Sequence, residues 1–297
     1  MKKPLISVII PNYNYAKYIA KTVQSALDQT YPCVEVIVVD DESKDDSLAV
    51  LDQFSGRIEV VAQANQGVSA ARNNGVAASS GEFVAFLDAD DLWSPEKLER
   101  QMAVIDADRE VGLVHCWMTY IDPQDRPMGQ MADGTEGWIA NDIMRFDGGG
   151  VIGAGSTSLI PRSVFDEVGG FDTRMSTAAD WDISYRIAAR HKIGIVNAPL
   201  VQYRIHNSNM HGNVAAMEHD MVLAMKNAFA AGAKRNGGVG FGNVYKTLAG
   251  SYFRSGKFGS FVRTAALGLY YKPSNLSYFA AFPFRRLRRS QGDRQAK

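Results

Sequence analysis

Phe83-Val84-Ala85-Phe86-Leu87-Asp88-Ala89-Asp90-Asp91 reads as a buried strand running straight into a carboxylate cluster. Five apolar residues in succession suit a strand covered on both faces. The aspartates after them mark its C-terminal end. Working backward, the same pattern recurs three times. Apolar runs at 6–10, 34–39 and 58–62 lead into Pro11-Asn12-Tyr13-Asn14, Asp40-Asp41-Glu42-Ser43 and Asn65-Gln66-Gly67. Helical patterns lie between the runs. Residues 16–29 place Ile19, Val23, Ala26 and Leu27 on one face, and 45–54 group Leu48, Leu51 and Phe54. Residues 68–79 form an Ala-rich helix whose small side chains allow close packing. Helices between such strands imply crossovers, so the first 90 residues predict a βαβαβαβ unit of an α/β fold.

Working forward, Ser94, Pro95 and Glu96 suit the N-cap and first turn of a helix that carries Leu98, Met102 and Ile105 on one face. Residues 112–120 predict a strand. Residues 121–155 are rich in Gly, Asp and Pro, with one short helix around 139–146. A strand at 156–160, a helix at 161–168, a helix at 180–190 and a strand at 193–204 broken at Pro199 follow. From 214 to 270 the pattern is helical, with Gly-rich turns expected at 237–242. No internal repeat is visible.

The 297 residues balance 32 Lys and Arg against 32 Asp and Glu, with 46% hydrophobic residues, which excludes wholesale disorder. A neutral whole argues against a nucleic-acid binder. The balance is uneven: residues 285–297 hold six basic residues against Asp293, a net +5. Two cysteines, Cys33 and Cys116, are too few for a disulfide framework and read as buried reduced thiols. The apolar run near the N-terminus is short for a secretory signal, and no stretch of about 18 apolar residues offers a spanning helix. The expected location is cytoplasmic.

Ligands of open α/β sheets bind at the C-terminal ends of strands. Four polar clusters at one sheet edge therefore predict a site for a large polar ligand. Strand alternation would put Asp88 and Asp90 on one side, where like charges call for a cation. Carboxylates suit Mg²⁺ or Mn²⁺, which usually also take phosphate oxygens. The competing reading is an acidic surface turn with Asp91 as a helix cap. Asp40 and Asp41 can likewise be caps of the following helix, and Arg72 a solvated helix arginine, unless a phosphate lies nearby.

The four clusters taken whole, with Gln66-Gly67-Val68-Ser69-Ala70-Ala71-Arg72-Asn73, strongly resemble glycosyltransferase family 2. The resemblance continues at Gly169-Gly170-Phe171-Asp172, at Ala179-Asp180-Trp181-Asp182 and at Tyr203-Arg204-Ile205-His206, covering about residues 5–206. It implies a GT-A fold: a Rossmann-like, mostly parallel sheet flanked by helices, here with a helical C-terminal extension. On that basis residues 1–210 form the glycosyltransferase domain, with a nucleotide-sugar half at about 1–110 and an acceptor half at about 111–210. Residues 211–297 form the extension.

The resemblance also implies roles. Pro11 and Tyr13 would line the nucleotide pocket, Asp40 and Asp41 would receive base and ribose, and Arg72 would lie near the nucleotide. Asp88, Asp90 and Asp91 would hold ribose and the metal-bound diphosphate, with His206 as a further metal contact. Asp180 matches the general base, although the preceding Ala179 departs from the Glu common in the family. The implied reaction is inverting transfer from a nucleotide sugar, foremost a UDP-sugar, to a hydroxyl of a saccharide or lipid-linked acceptor, with Mn²⁺ or Mg²⁺ as cofactor. Polysaccharide biosynthesis at the cell envelope is the implied setting. An inactive nucleotide-sugar-binding module and a sugar nucleotidyltransferase are the alternatives. The latter calls for a Gly-rich basic loop where Pro11-Asn12-Tyr13-Asn14 stands. Residues 148–153 fit a GxGxxG spacing but lack the strand context, so they read as a loop. Residues 278–289 interleave aromatic residues with arginines, which suits peripheral contact with the inner face of a membrane; a solvated tail or a packed terminal helix is the competing reading, since Pro283 breaks a continuous amphipathic helix.

Overall fold

The computed structural model describes residues 3–206, 213–230 and 237–281. The chain forms two compact units, one of Met1–Ile143 with Gly148–Asp220, the other of Met144–Asp147 with Met221–Lys297.

The first unit opens with β1 (Ile6–Asn12), α1 (Ile19–Leu27), β2 (Val34–Asp40), α2 (Ser47–Leu51), β3 (Glu59–Ala62), α3 (Val68–Ala78) and β4 (Phe83–Phe86). These four strands pair in parallel in the order β3-β2-β1-β4. Every residue of β1 and β4 is buried, which is why both read as unbroken apolar runs. β3 is an edge strand and largely exposed, so the run at 58–62 is half-solvated rather than doubly covered. α3 reaches the sheet through its small residues: a Cβ on Gly75 would come within 2.4 Å of Ile9.

Next come β5 (Leu92–Trp93), α4 (Lys97–Ala107), β6 (Val111–Ile121), β7 (Pro127–Met131), α5 (Ala140–Arg145), α6 (Ala154–Thr157), β8 (Leu159–Pro161), α7 (Arg162–Val168), α8 (Ala179–Ala188) and β9 (Lys192–Arg204). The sheet continues β4-β8-β6-β9-β5, with β7 on β6. β8, β5 and β7 run antiparallel to their neighbours, so the sheet is mixed but mostly parallel. Leu98, Met102 and Ile105 of α4 are buried as the sequence pattern predicts. The helix starts at Lys97, later than Ser94, because Leu92 and Trp93 join the sheet first and Ser94 donates its N–H to Leu200 O. Pro199 does not end β9. Between Cys116 and Trp117 the β6 partner advances from Val196 to Pro199, and that bulge absorbs the proline.

α9 (Val214–Ala230), α10 (Gly237–Arg254), α11 (Phe258–Tyr271) and α12 (Leu276–Ala280) follow. The glycines at 237–242 are not turns; they open α10. Backbone closeness explains them. A Cβ on Gly240 would meet Met144 O at 2.1 Å, and one on Gly242 would meet Lys272 Cβ at 2.4 Å. Asn275 donates to Gly242 O and Gly268 O, tying α10 to α11. Among the described residues no helix is long and apolar enough to cross a membrane.

Candidate active site

The register aligns Asn12 with Asp40 and Ile9 with Phe86, so the C-terminal ends of β1, β2 and β4 form one edge. There Asp40 is buried and accepts from Asn12 Nδ2 (2.8 Å) and the Ser43 N–H (2.9 Å). Asp41 is buried and accepts from Gln63 Nε2 and the N–H groups of Gln66 and Gly67, each at 2.8 Å. Gly67 sits at φ +85°, a conformation open to glycine, which turns its N–H onto the carboxylate. Both aspartates therefore fasten loops at this edge. Pro11 is buried in β1, and Tyr13 just beyond it is exposed.

Arg72 is the hub. It is only 2% exposed, and its Nη2 donates to Asp88 Oδ1 (2.6 Å) while Nη1 donates to Asp180 Oδ1 (3.0 Å). Burial opposes its charge, but Asp88 and Asp180 more than offset that and hold its pKa above the ordinary value. The Phe171 ring covers the guanidinium at 5.1 Å. A solvated helix arginine is thereby ruled out.

Asp180 stands in the first turn of α8 but does not cap it; Ala178 is the N-cap and no side chain bonds there. Its second oxygen, Oδ2, accepts the Gly155 N–H at 2.9 Å. Its side chain keeps 35% exposure, so it remains open to solvent. Asp182 turns away, buried and paired with Arg186 at 2.6 Å, which in turn donates to Val168 O and Gly170 O.

Sequence reasoning passed over Gly155. A Cβ there would lie 2.8 Å from Arg72 Nη2, 2.9 Å from Asp88 Oδ2 and 3.0 Å from Asp180 Oδ2. No local pattern could have singled it out, since its neighbours come from α3, α8 and the turn after β4. Gly155→Ala is expected to lower kcat roughly tenfold or more by displacing these groups, with a near-normal melting temperature. An unchanged kcat would show that the close approach has no catalytic consequence.

The acidic cluster is a turn, not a strand continuation. β4 stops at Phe86, and the Asp91 N–H donates to Asp88 O. Strand alternation therefore does not apply, and the three carboxylates diverge. Asp88 goes to Arg72. Asp90 Oδ2 lies 2.8 Å from His206 Nε2. Asp91 is fully buried; its Oδ2 accepts from Ser156 Oγ (2.6 Å) and its Oδ1 from the Arg204 N–H (2.9 Å). Burial, then Asp90 and Asp88, push its pKa well above the usual carboxylate range. Each Asp91 oxygen thus accepts one hydrogen bond, and the residue ties the turn to α6 and to the end of β9. It does not cap α4, whose N-cap is Glu96.

Arg204 completes that end. It is buried, donates from Nε to Asp90 O (2.7 Å) and pairs with Asp125. Tyr18 packs on the Arg204 guanidinium at 4.7 Å and stacks on His206 at 5.4 Å. A cleft of about 540 Å³ opens beside His206, lined by Asn14, Tyr15, Lys17, Tyr18, Pro123 and Ile205. Of the other histidines, His219 bonds Asp220 and lies outside this set, and His211 lies outside the described residues. The glycines at 148, 149, 150 and 153 all have positive φ and form a loop, as expected.

Among the described residues no three His, Cys, Asp or Glu side chains converge as a full metal cage. Mg²⁺ and Mn²⁺ seldom need one, because water and phosphate complete the shell. The Asp90–His206 pair fits such an ion. Two neighbouring ligands of an octahedral ion with bonds of about 2.1 Å stand about 3 Å apart, close to the 2.8 Å found here.

A mostly parallel sheet whose strand ends carry loop-fastening aspartates and an acidic turn is the architecture that the sequence resemblance implies. The Glycosyl transferase family 2 profile matches residues 7–169. An uncharacterized glycosyltransferase of Nostoc sp. is 37% identical over 221 residues, 71% of this chain and 68% of that protein. The chain belongs to glycosyltransferase family 2 and is an enzyme of that class. Two solved structures share the fold. Mannosyltransferase PcManGT from Pyrobaculum calidifontis, in complex with GDP-Man and Mn²⁺, aligns at TM-score 0.62 with 20% identity over 99% of this chain and 85% of that one. S. aureus TarS 1–349 in complex with UDP-GlcNAc aligns at 0.61 with 17% identity, over 88% and 90%.

Proposed function

We propose that the protein transfers a sugar, with inversion, from a nucleoside-diphosphate sugar to a hydroxyl of a saccharide or lipid-linked saccharide, with Asp180 as general base. The observation that carries this reading is the mounting of Asp180. Arg72 and the Gly155 N–H hold it from two sides while a third of its side chain stays open. A base needs that combination: fixed aim, and reach to the acceptor proton. Arg72 also sets Asp180 beside Asp88, and so beside the turn that carries Asp90.

Asp90 and His206, with Asp88 near them, are the residues proposed to hold a divalent ion together with the donor diphosphate. Such an ion, when bound, offsets the charge gathering on the leaving diphosphate. The nucleoside is proposed to lie against Pro11, Tyr13 and the loops that Asp40 and Asp41 fasten. UDP-sugars are the first donors to test, and GDP-sugars the second, because the two structural neighbours were solved with UDP-GlcNAc and GDP-Man. The intact Arg72–Asp180 arrangement favours catalysis over an inactive binding module.

The test is calorimetric titration of UDP and GDP with Mn²⁺ and with EDTA, followed by donor turnover. The expected result is metal-dependent binding of one nucleotide, weakened roughly tenfold or more in Asp90→Asn and in His206→Ala. Binding that is equal with EDTA and unchanged in both variants would remove the metal assignment. Absence of turnover across a donor and acceptor panel would remove the catalytic one.

A further inference from the structure

The neutral whole conceals a strong division of charge. From Met221 to the end the sequence carries fourteen Lys and Arg and one acid, Asp293, a net +13; residues 1–220 therefore stand at −13. The described part of that stretch, 221–230 and 237–281, holds Lys226, Lys246, Arg254, Lys257, Arg263 and Lys272 and no Asp or Glu. Like charges at this density repel one another, and an anionic partner relieves that repulsion.

α11 shows what kind of partner. Its exposed positions are Phe258, Gly259, Val262, Arg263, Ala266, Tyr270 and Tyr271. Phe258, Val262, Ala266 and Tyr270 follow at steps of four and form one stripe. Phe258 is 59% exposed, Val262 64% and Tyr270 79%, and Leu276 at the head of α12 is 63% exposed. Thr264 and Gly268, on the other side of the helix, are buried. A helix that shows water an apolar stripe bordered by cations has the amphipathic pattern inverted for a free surface.

We propose that α11 and the start of α12 dock on an anionic phospholipid bilayer and lie in its interface. The cations Lys257 and Arg263 stand beside the stripe at headgroup level, while Phe258, Val262, Tyr270 and Leu276 enter the acyl boundary. Tyrosine suits that depth, with an apolar ring and a polar tip. α11 has 14 residues, about 21 Å of helix against a hydrocarbon core of about 30 Å, so it lies along the surface and does not span. A nucleic acid would match the charge but would leave Val262 and Leu276 without a role, since phosphate contacts come from cations and polar groups. The basic segment 282–297 lies outside the described residues; by sequence it adds six cations and one acid. The surface carries this proposal independently of the donor chemistry above.

The test is co-sedimentation of the full chain with vesicles of mixed phosphatidylglycerol and phosphatidylcholine, and with vesicles of phosphatidylcholine alone, at about 0.15 M salt. Binding to the anionic vesicles only is expected. Phe258→Ser/Val262→Ser/Tyr270→Ser, and separately Lys257→Glu/Arg263→Glu, are each expected to lower the partition coefficient roughly tenfold or more, with melting temperatures near that of the parent because all five side chains are exposed. Equal binding to neutral vesicles, or unchanged partition in both variants, would overturn the proposal. So would tighter binding to duplex DNA than to anionic vesicles, or a dimer that the triple variant dissociates while vesicle binding persists.

Discussion

Asp180→Asn is expected to lower sugar transfer by about 10²–10⁴-fold while nucleoside diphosphate still binds. The substitution removes the negative charge that would receive the acceptor proton. It also places an amide NH₂ against Arg72 or against the Gly155 N–H, two donors that now share one acceptor oxygen. The site is partly open, so solvent relieves some of that conflict, and a stability loss of about 1–2 kcal/mol is expected. The helix itself should not suffer, because Asp180 is not its cap. Asp182→Asn gives the opposite signature. Its carboxylate is buried against Arg186, and breaking a buried pair costs about 3 kcal/mol or more, so it should unfold at lower temperature yet turn over normally while folded. Steady-state kinetics and thermal melts of both variants separate the two. Full activity in Asp180→Asn, with Asp182→Asn inactive though folded, would move the base to Asp182.

Asp91→Ala is expected to cost about 3 kcal/mol or more, a fall of about 6–12 °C in melting temperature. The change strips acceptors from the Ser156 hydroxyl and the Arg204 N–H in a site closed to water, and each orphaned donor costs about 1–3 kcal/mol. It also opens a cavity. Ser156 holds Asp88 as well, accepting its N–H at 3.1 Å, so the turn that carries Asp88 and Asp90 loosens. Weakened metal-dependent nucleotide binding should follow, but as a consequence of the lost fold. A melting temperature equal to the parent's, with metal-dependent binding abolished, would instead make Asp91 a direct ligand.

At the acidic cluster the sequence shows the charges but not their partners. Asp88, Asp90 and Asp91 are adjacent in sequence and carry the same charge, which invites a shared ligand. The partners each one meets in the fold come from other elements: Arg72 on α3, His206 after β9, Ser156 on α6 and the backbone of Arg204. Likewise, the glycines at 237–242 look like turns until the carbonyl of Met144 and the side chain of Lys272 are seen to leave no room for a Cβ.

Some of the protein is determined by sequence alone. Strands buried on both faces must be continuously apolar, and crossover helices must be amphipathic or small-sided. The βαβαβαβ half and its polar edge are therefore written in local patterns that β1, β2, α3 and β4 obey. The ordered motifs, from Pro11 through Asp91 to His206, were enough to indicate the family. Only the tertiary structure decided which oxygen faces which donor. It made Arg72 a buried bridge between Asp88 and Asp180, Gly155 a donor with no space for a side chain, and α11 a helix with its apolar stripe outward. The physical reason is range. Periodicity reports burial a few residues along the chain, whereas hydrogen bonds and ion pairs act over about 3 Å between segments that, here, lie as many as 116 residues apart.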